Sequence, residues 1–482
     1  MAGQRLKEKT VKGIVWSGLD TLLGHGITFI VGIVLARLLS PVEYGLIAIC
    51  LIFTTVLQGM VDSGFSNSLI RKKEVSNEDY NTMFITNMVT SVVLYFFLFF
   101  SAPMIAIFFE RPELVELVRA MGIILFLHAL GITQSTILTK SIDFKTKAKV
   151  SFISAIVSGG IGIFMALSGF GVWALVGQKL SGQLLFTVNL WILNRWWPNF
   201  TFSRQSFHYM WGYGWKLMVS GLLNNIWNQI YQIVVGKFYS PATLGQYGRS
   251  REYAHIFSQT LTGIVQRVTF PVLATIQDDK ARIVAAYRKI IRVSMFVTTL
   301  CMIPLGSIAE PLVYCLIGPK WHEASTYLPL ICLSMSLHPV HAINLNMLQV
   351  QGRSDIFLNL EIVKKFFSIG PICLGIFIDI YWMLIGSIVT SIVSFFINSY
   401  YTGRSMRYSS WMQISDILPS YTVALIIATP IYFIKYLPVS PFIILGLQIL
   451  GAFILFSLII NKWEMSEYKE IKNIIHEYLK CK

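Results

Sequence analysis

Charge is what this chain has least of. Asp, Glu, Lys and Arg together make up 13% of its 482 residues, against 55% hydrophobic residues, and the mean hydropathy is +0.62. A water-soluble domain is roughly one quarter charged, and a soluble fold of this composition would expose too much apolar surface. Cysteine is sparse as well. The six residues, Cys50, Cys301, Cys315, Cys332, Cys373 and Cys481, fall mostly in apolar segments and form no C-x-x-C or metal-like spacing, so they read as small core side chains. Catalytic signatures are missing too: there is no G-x-S-x-G, H-E-x-x-H, Walker A or D-x-D motif, and no loop long enough for a nucleotide or sugar-nucleotide domain. His338 and His341 lie at i, i+3 without a carboxylate companion, which does not make a metal site. The expectation is a protein that is not an enzyme and holds no cofactor or metal, with coupling to H⁺ or Na⁺ left open.

Long apolar runs are present instead. Ile14 to Leu35, Met88 to Phe109, Phe152 to Gly171 and Ile443 to Ile460 each suffice to cross a ~30 Å hydrocarbon core at 1.5 Å per residue. Read between charge clusters and Gly/Pro punctuation, the sequence yields fourteen candidate spans, from 13–36 to 442–461, those beginning near 244 and 325 being the most polar. Stretches of that length mean helices, since barrel strands alternate over about ten residues. The fold class is therefore an all-α polytopic membrane protein. Arg5, Lys7, Lys9 and Lys12 lead into the first run with no short h-region and no A-x-A site behind it, so that span is expected to remain in the mature protein.

The cations tell the two sides apart. With the N-terminus taken as cytoplasmic, 26 Lys and Arg residues fall on the inner side of the spans and five (Arg37, Arg111, Lys237, Lys320 and Lys435) on the outer side. That bias predicts both termini in the cytoplasm. It also explains the +15 net charge as the cytoplasmic margin of a membrane protein facing membrane lipids, not as a nucleic-acid surface.

The chain repeats itself. The segment Leu35 to Gly45, containing Ser40-Pro41, aligns at an offset of 200 with Val235 to Gly245, containing Ser240-Pro241. Ala102-Pro103 matches Glu310-Pro311, and His128 matches His338. Two parallel six-helix halves followed by two appended helices are expected, with a first lobe over 1–208, a second over 209–410, and spans 13 and 14 with the tail over 411–482.

A charge at mid-membrane costs roughly 2.5 to 3.5 kcal/mol on insertion scales, so polar side chains inside spans are the best pointers to function. They recur at helical spacing in the opening pair of each half. Span 1 carries Ser17, Asp20, Thr21 and Thr28. Span 2 carries Thr55, Gln58, Asp62 and Ser66. Asn225, Asn228, Gln229 and Gln232 lie on span 7, and Arg251, His255, Ser258 and Thr262 on span 8. These stripes are read as facing a shared cavity, with Gln58, Asn225, Asn228, Gln229 and Gln232 as candidate substrate contacts; interhelical hydrogen bonding is the equally open alternative for the amide and hydroxyl groups, whereas for Asp62, Arg251 and His255 a water-filled cavity is the favoured reading. Arg251 lies about seven residues into its span, ~10 Å from the boundary. Arg249 points to the opposite face, so its loss is expected to matter less. Asp20 is near a span end, where headgroups can meet it. Lys364 has Glu361 within helical reach, and Lys179 sits deeper, beside Gln178 and Gln183, as a further candidate.

Several strings resemble a known family. Val61-Asp62-Ser63-Gly64-Phe65-Ser66-Asn67-Ser68-Leu69-Ile70-Arg71-Lys72-Lys73-Glu74 is similar to a pattern of Wzx-type polysaccharide exporters, in particular the colanic-acid exporter branch. So are Phe270 to Asp279, Gly318-Pro319-Lys320-Trp321 and Gln351-Gly352-Arg353-Ser354-Asp355. The similarity runs from Lys9 to about residue 410. The resemblance implies the multidrug/oligosaccharidyl-lipid/polysaccharide (MOP) exporter superfamily: two six-helix lobes in a V, a cationic cavity lined by helices 1, 2, 7 and 8, and alternating access. It implies transfer of an undecaprenyl-diphosphate-linked oligosaccharide across a bacterial inner membrane, with a polysaccharide polymerase and chain-length machinery as further partners. A doubly charged diphosphate suits a cationic cavity. The alternatives are a cation-coupled multidrug exporter, which Asp62 would serve, or a lipid II flippase of the same fold; a membrane polymerase or ligase would need a longer outer loop than this chain has.

Overall fold

A computed structural model describes residues 24, 26–276, 278–463, 465, 467–470 and 472. Among them there are helices and turns but no strand. The chain forms two compact units, Met1–Gly245 and Gln246–Lys482.

The first unit contains α1 (Gly26–Leu38), α2 (Pro41–Asp62), α3 (Phe65–Arg71), α4 (Asn77–Phe109), α5 (Leu114–Gly122), α6 (Ile124–Lys140), α7 (Phe144–Leu167), α8 (Val172–Asn194) and α9 (Arg204–Phe238). Helix α10 (Pro241–Thr275) starts at its end and continues into the second unit. There follow α11 (Lys280–Ser307), α12 (Ala309–Ile317), a 3₁₀ turn (Pro319–Trp321), α13 (His322–Met335), α14 (His338–Val350), α15 (Ser354–Phe367), α16 (Ile369–Phe377), α17 (Ile380–Met406), α18 (Ser410–Phe433), a second 3₁₀ turn (Ile434–Tyr436) and α19 (Pro441–Trp463).

Nine helical stretches among the described residues are long and apolar enough to cross a membrane, fewer than the fourteen expected. The other five expected spans coincide with α1, α8, α9, α10 and the pair α15–α16, and the shortfall has a physical cause. Amides and cations lower the apolar character of α8, α9 and α10, Glu361, Lys364 and Lys365 do the same for α15–α16, and α1 is described only from Gly26. Asp20, with Ser17 and Thr21, lies outside the described residues.

The repeated hairpins are built alike. Ser40 caps α2 by accepting from the Glu43 N–H, and Glu43 returns the favour to the Ser40 N–H in a capping box. Ser240 caps α10 through the Thr243 N–H at 3.1 Å, and each helix opens with proline, whose missing N–H costs nothing at that position. The two hairpins also meet reciprocally: a Cβ on Gly45 would run into the Pro241 carbonyl, and one on Gly245 into the Pro41 carbonyl. Only glycine permits this contact, and it is made twice, once from each copy. Helix α9, assigned by the repeat to the second half, packs on α2 within the first unit. The compact units thus divide at Gly245, whereas the boundaries 208 and 410 follow the sequence repeat.

In the second unit α11 packs along α18. Asp416 on α18 is 4% exposed and receives two guanidinium groups one helical turn apart: Arg288 at 2.8 and 2.9 Å, and Arg292. The Tyr408 hydroxyl adds a third donor at 2.6 Å. Nearby, Asn344 on α14 accepts from Tyr287 and from Thr402, and donates to Gln413 at 3.2 Å. Arg288 and Arg292 belong to the cytoplasmic cations read from the sequence. The structure uses them to neutralise a buried carboxylate.

Hydrogen bonds to a charged group are each worth ~1.5–3 kcal/mol. Asp416→Asn removes the anion shared by two half-exposed guanidinium groups and is expected to cost about 2 kcal/mol. Arg292→Ala leaves the bidentate Arg288 contact and should cost less than half as much. Thermal unfolding of the purified protein in detergent checks the order; an equal loss from both variants would contradict it.

Candidate functional site

The polar stripes of the first unit lie on α2 and α9, which pack together. Gly59 sets the distance: a Cβ there would stand 2.8 Å from Asn225 Nδ2. Further along, Gly64, with φ of 73°, and Gly214 approach so closely that a Cβ on Gly64 would lie 2.6 Å from the Gly214 carbonyl oxygen. Gln58, Asn225, Gln229 and Gln232 are half-buried and Asn228 is exposed. Gln229 Oε1 is buried and accepts no hydrogen bond among the described residues.

Asp62 is tied locally. Its Oδ1 accepts from the Ser66 N–H at 3.3 Å and from the Ser66 hydroxyl, which in turn accepts from Thr136 Oγ1 at 2.9 Å. The carboxylate therefore bridges the left-handed turn at Ser63 and Gly64 between α2 and α3. Lys179 is half-buried on α8, where the stem of Gln178 packs against Gly162 of α7.

Three cations of the first unit make contacts that spacing did not reveal. Lys140, at the end of α6, donates to the carbonyls of Leu69, Ile70 and Lys72, closing the C-terminus of α3 with a positive charge. Lys72 meets the fully buried Asp79 carboxylate at 2.7 Å, and Asp79 also forms the capping box of α4 with Ser76. Lys237 lies 2.7 Å from Glu110 and holds that carboxyl below the usual range. The pair is exposed, so it adds little to stability, and what it adds disappears as pH falls through the lowered Glu110 pKa.

In the second unit the stripe on α10 divides. Ser258 is buried and donates to the Met335 carbonyl at 3.1 Å, with His338 Nδ1 at 3.5 Å, and Thr262 donates to the Ser258 carbonyl. Ser258 thus belongs to packing against α13 and α14, while Thr262 is buried and bonded within its own helix. Arg251 is half-buried, and His255, Gln259 and Gln266 are exposed; they form the remaining face. Arg249, whose loss is expected to matter less than that of Arg251, is 4% exposed and ion-paired with Glu252 at 2.6 Å, so it serves the unit's interior. His341 Nε2 lies 3.2 Å from Ser391 Oγ, and Lys364 pairs with Glu361 as the spacing predicts.

The geometry comprises an amide-lined pair of helices in one unit and a cationic, amide-bearing face in the other.

A family described as polysaccharide biosynthesis protein matches residues 34–326. The succinoglycan biosynthesis transport protein ExoT of Rhizobium meliloti is 26% identical over 76% of this chain and 74% of its own. The lipopolysaccharide biosynthesis protein WzxC of Escherichia coli is 23% identical over 81% of each chain. Among solved structures, the lipid II flippase MurJ in an inward closed conformation aligns with a TM-score of 0.69 at 16% identity, over 94% of this chain and all of its own. An inward-facing multidrug transporter of the MATE family, MOP superfamily, aligns at 0.62 and 16% identity, over 81% of this chain and 96% of its own. At these identities the structural matches show a shared fold.

Proposed function

Because this chain belongs to the polysaccharide biosynthesis protein family, we propose that it is a flippase moving an undecaprenyl-diphosphate-linked oligosaccharide repeat unit from the cytoplasmic to the periplasmic leaflet of a bacterial inner membrane, by alternating access, for surface polysaccharide assembly. Relatives named as polysaccharide transport and lipopolysaccharide biosynthesis proteins support it, as does a fold shared with a flippase for another lipid-linked sugar. The observation that carries the reading to particular residues is the face of α10 where Arg251 and His255 lie together, one turn apart and inside an expected span.

We assign Arg251 and His255 to the diphosphate. A guanidinium offers five donors in a fixed fork that matches phosphate oxygens in pairs, whereas lysine supplies a point charge. Gln58, Asn225, Asn228, Gln229 and Gln232 offer amides for sugar hydroxyls, and Lys179 is a secondary anion contact. Asp62, held by Ser66, is read as part of the α2–α3 turn and not as a coupling group. The protein is placed with both termini in the cytoplasm, so that product emerges where a polymerase and its chain-length machinery take it up.

Arg251→Ala at normal abundance is expected to abolish surface polysaccharide and Arg251→Lys to retain part of it; wild-type output from well-expressed Arg251→Ala sinks the assignment. For the orientation, alkaline phosphatase fused after Lys482 should be inactive. Activity of that fusion reverses the topology.

A further inference from the structure

The second unit holds a cleft of about 400 Å³ that the flippase reading does not use. It lies among the end of α11, α12, the 3₁₀ turn at 319–321, the first turns of α13 and the turn after α18. Lys320 and Lys435 mark this end of the unit as the cation-poor side, periplasmic in the proposed orientation. Its size falls in the range of small-molecule sites, roughly 300–1,000 Å³.

The chemistry of its walls is specific. Lys435 Nζ sits 3.1 Å from Glu310 Oε2, 4.2 Å from the centre of the Tyr432 ring and 5.2 Å from that of Tyr436. The ammonium is thus matched by a carboxylate and held against two aromatic faces, so the cleft offers no excess positive charge to a phosphate. Tyr432 and Tyr314 present exposed rings, and His322 and Thr326 add exposed polar groups. Flat aromatic surface beside neutral or anionic hydrogen-bond acceptors suits a pyranose, whose C–H face packs on a ring while its hydroxyls donate to a carboxylate.

The wall is also rigid. Gly318 takes a φ of 94°, which glycine alone holds without strain, and Trp321 beneath it is completely buried. Gln246 on α10 donates to the Lys320 carbonyl at 2.8 Å and accepts from the Ala324 N–H at 3.1 Å, while Ser250 donates to the Ala324 carbonyl at 2.8 Å. The Gly318-Pro319-Lys320-Trp321 string is therefore pinned to the turn of α10 that carries Arg251.

We propose that this cleft is a second glycan site, binding a neutral sugar residue of the translocated repeat unit on its exit side; the proposal rests on the flippase reading above. The test is calorimetric titration of the full-length protein in nanodiscs with the host's own repeat-unit oligosaccharide, freed from its lipid by mild acid, with sn-glycerol 3-phosphate as the headgroup control. Tyr432→Ala is expected to weaken oligosaccharide binding at least tenfold, Glu310→Gln at least fivefold, and Tyr432→Phe, which keeps the ring, less than twofold. Oligosaccharide binding that ignores Tyr432→Ala and Glu310→Gln overturns the site, as does binding of glycerol phosphate in place of the sugar. A gene deletion that leaves surface polysaccharide intact would end the flippase reading and the cleft's role with it. Polysaccharide that depends on the gene, with titrations indifferent to the cleft variants, would end the cleft proposal alone.

Discussion

Hydrocarbon offers a polar group nothing to bond with, and this constraint decides how the chain is organised. A charge carried into or beside the apolar layer needs a partner from the protein. Asp416 finds Arg288, Arg292 and Tyr408; Asp79 finds Lys72 and Ser76; the open carbonyls of α3 find Lys140. Each contact joins elements distant in sequence or closes a helix end. The scarcity of charge seen in the composition is thus matched by economy in its use: few ionic groups, most of those described above placed where two elements meet.

Small residues impose the complementary condition. Gly45 and Gly245 let the two Ser-Pro hairpins touch carbonyl to backbone, and Gly59 and Gly64 bring α9 against α2. Close backbone approach is how helices associate where lipid supplies no hydrophobic drive. The reciprocal Gly45–Pro241 and Gly245–Pro41 contacts give the offset of 200 residues a structural meaning, since equivalent positions in the two copies face one another.

Much of this was legible in the sequence. Run lengths indicated helices, Ser40-Pro41 and Ser240-Pro241 stood out as a repeat at an offset of 200, and the strings around Asp62 and Gly318 pointed to the family that the comparisons support. Helical periodicity gave the polar faces but could not say which neighbour each would meet. On α10 a single apparent stripe splits because Ser258 turns toward α13 and α14 and Thr262 is buried against its own helix, and Arg249 proved to be interior. Asp416 escaped notice because its guanidinium partners lie more than 120 residues away. The cleft around Lys435 joins residues 306–329 to Tyr432 and Lys435, more than 100 positions apart, and no local spacing encodes that. One weak signal was available: Asp416 stands alone among the apolar residues of α18, and Arg288 and Arg292 stand four apart.

The central claim is vectorial: a lipid-linked oligosaccharide changes leaflet because this protein is present. The direct measurement is to delete the gene, extract the undecaprenyl-linked oligosaccharide and determine its leaflet by its accessibility to a membrane-impermeant sugar oxidant in intact spheroplasts and in inverted vesicles. The account predicts accumulation that is oxidised only in inverted vesicles, reversed by restoring the gene. Oligosaccharide oxidised equally in spheroplasts of the deletion strain and of its parent would contradict it.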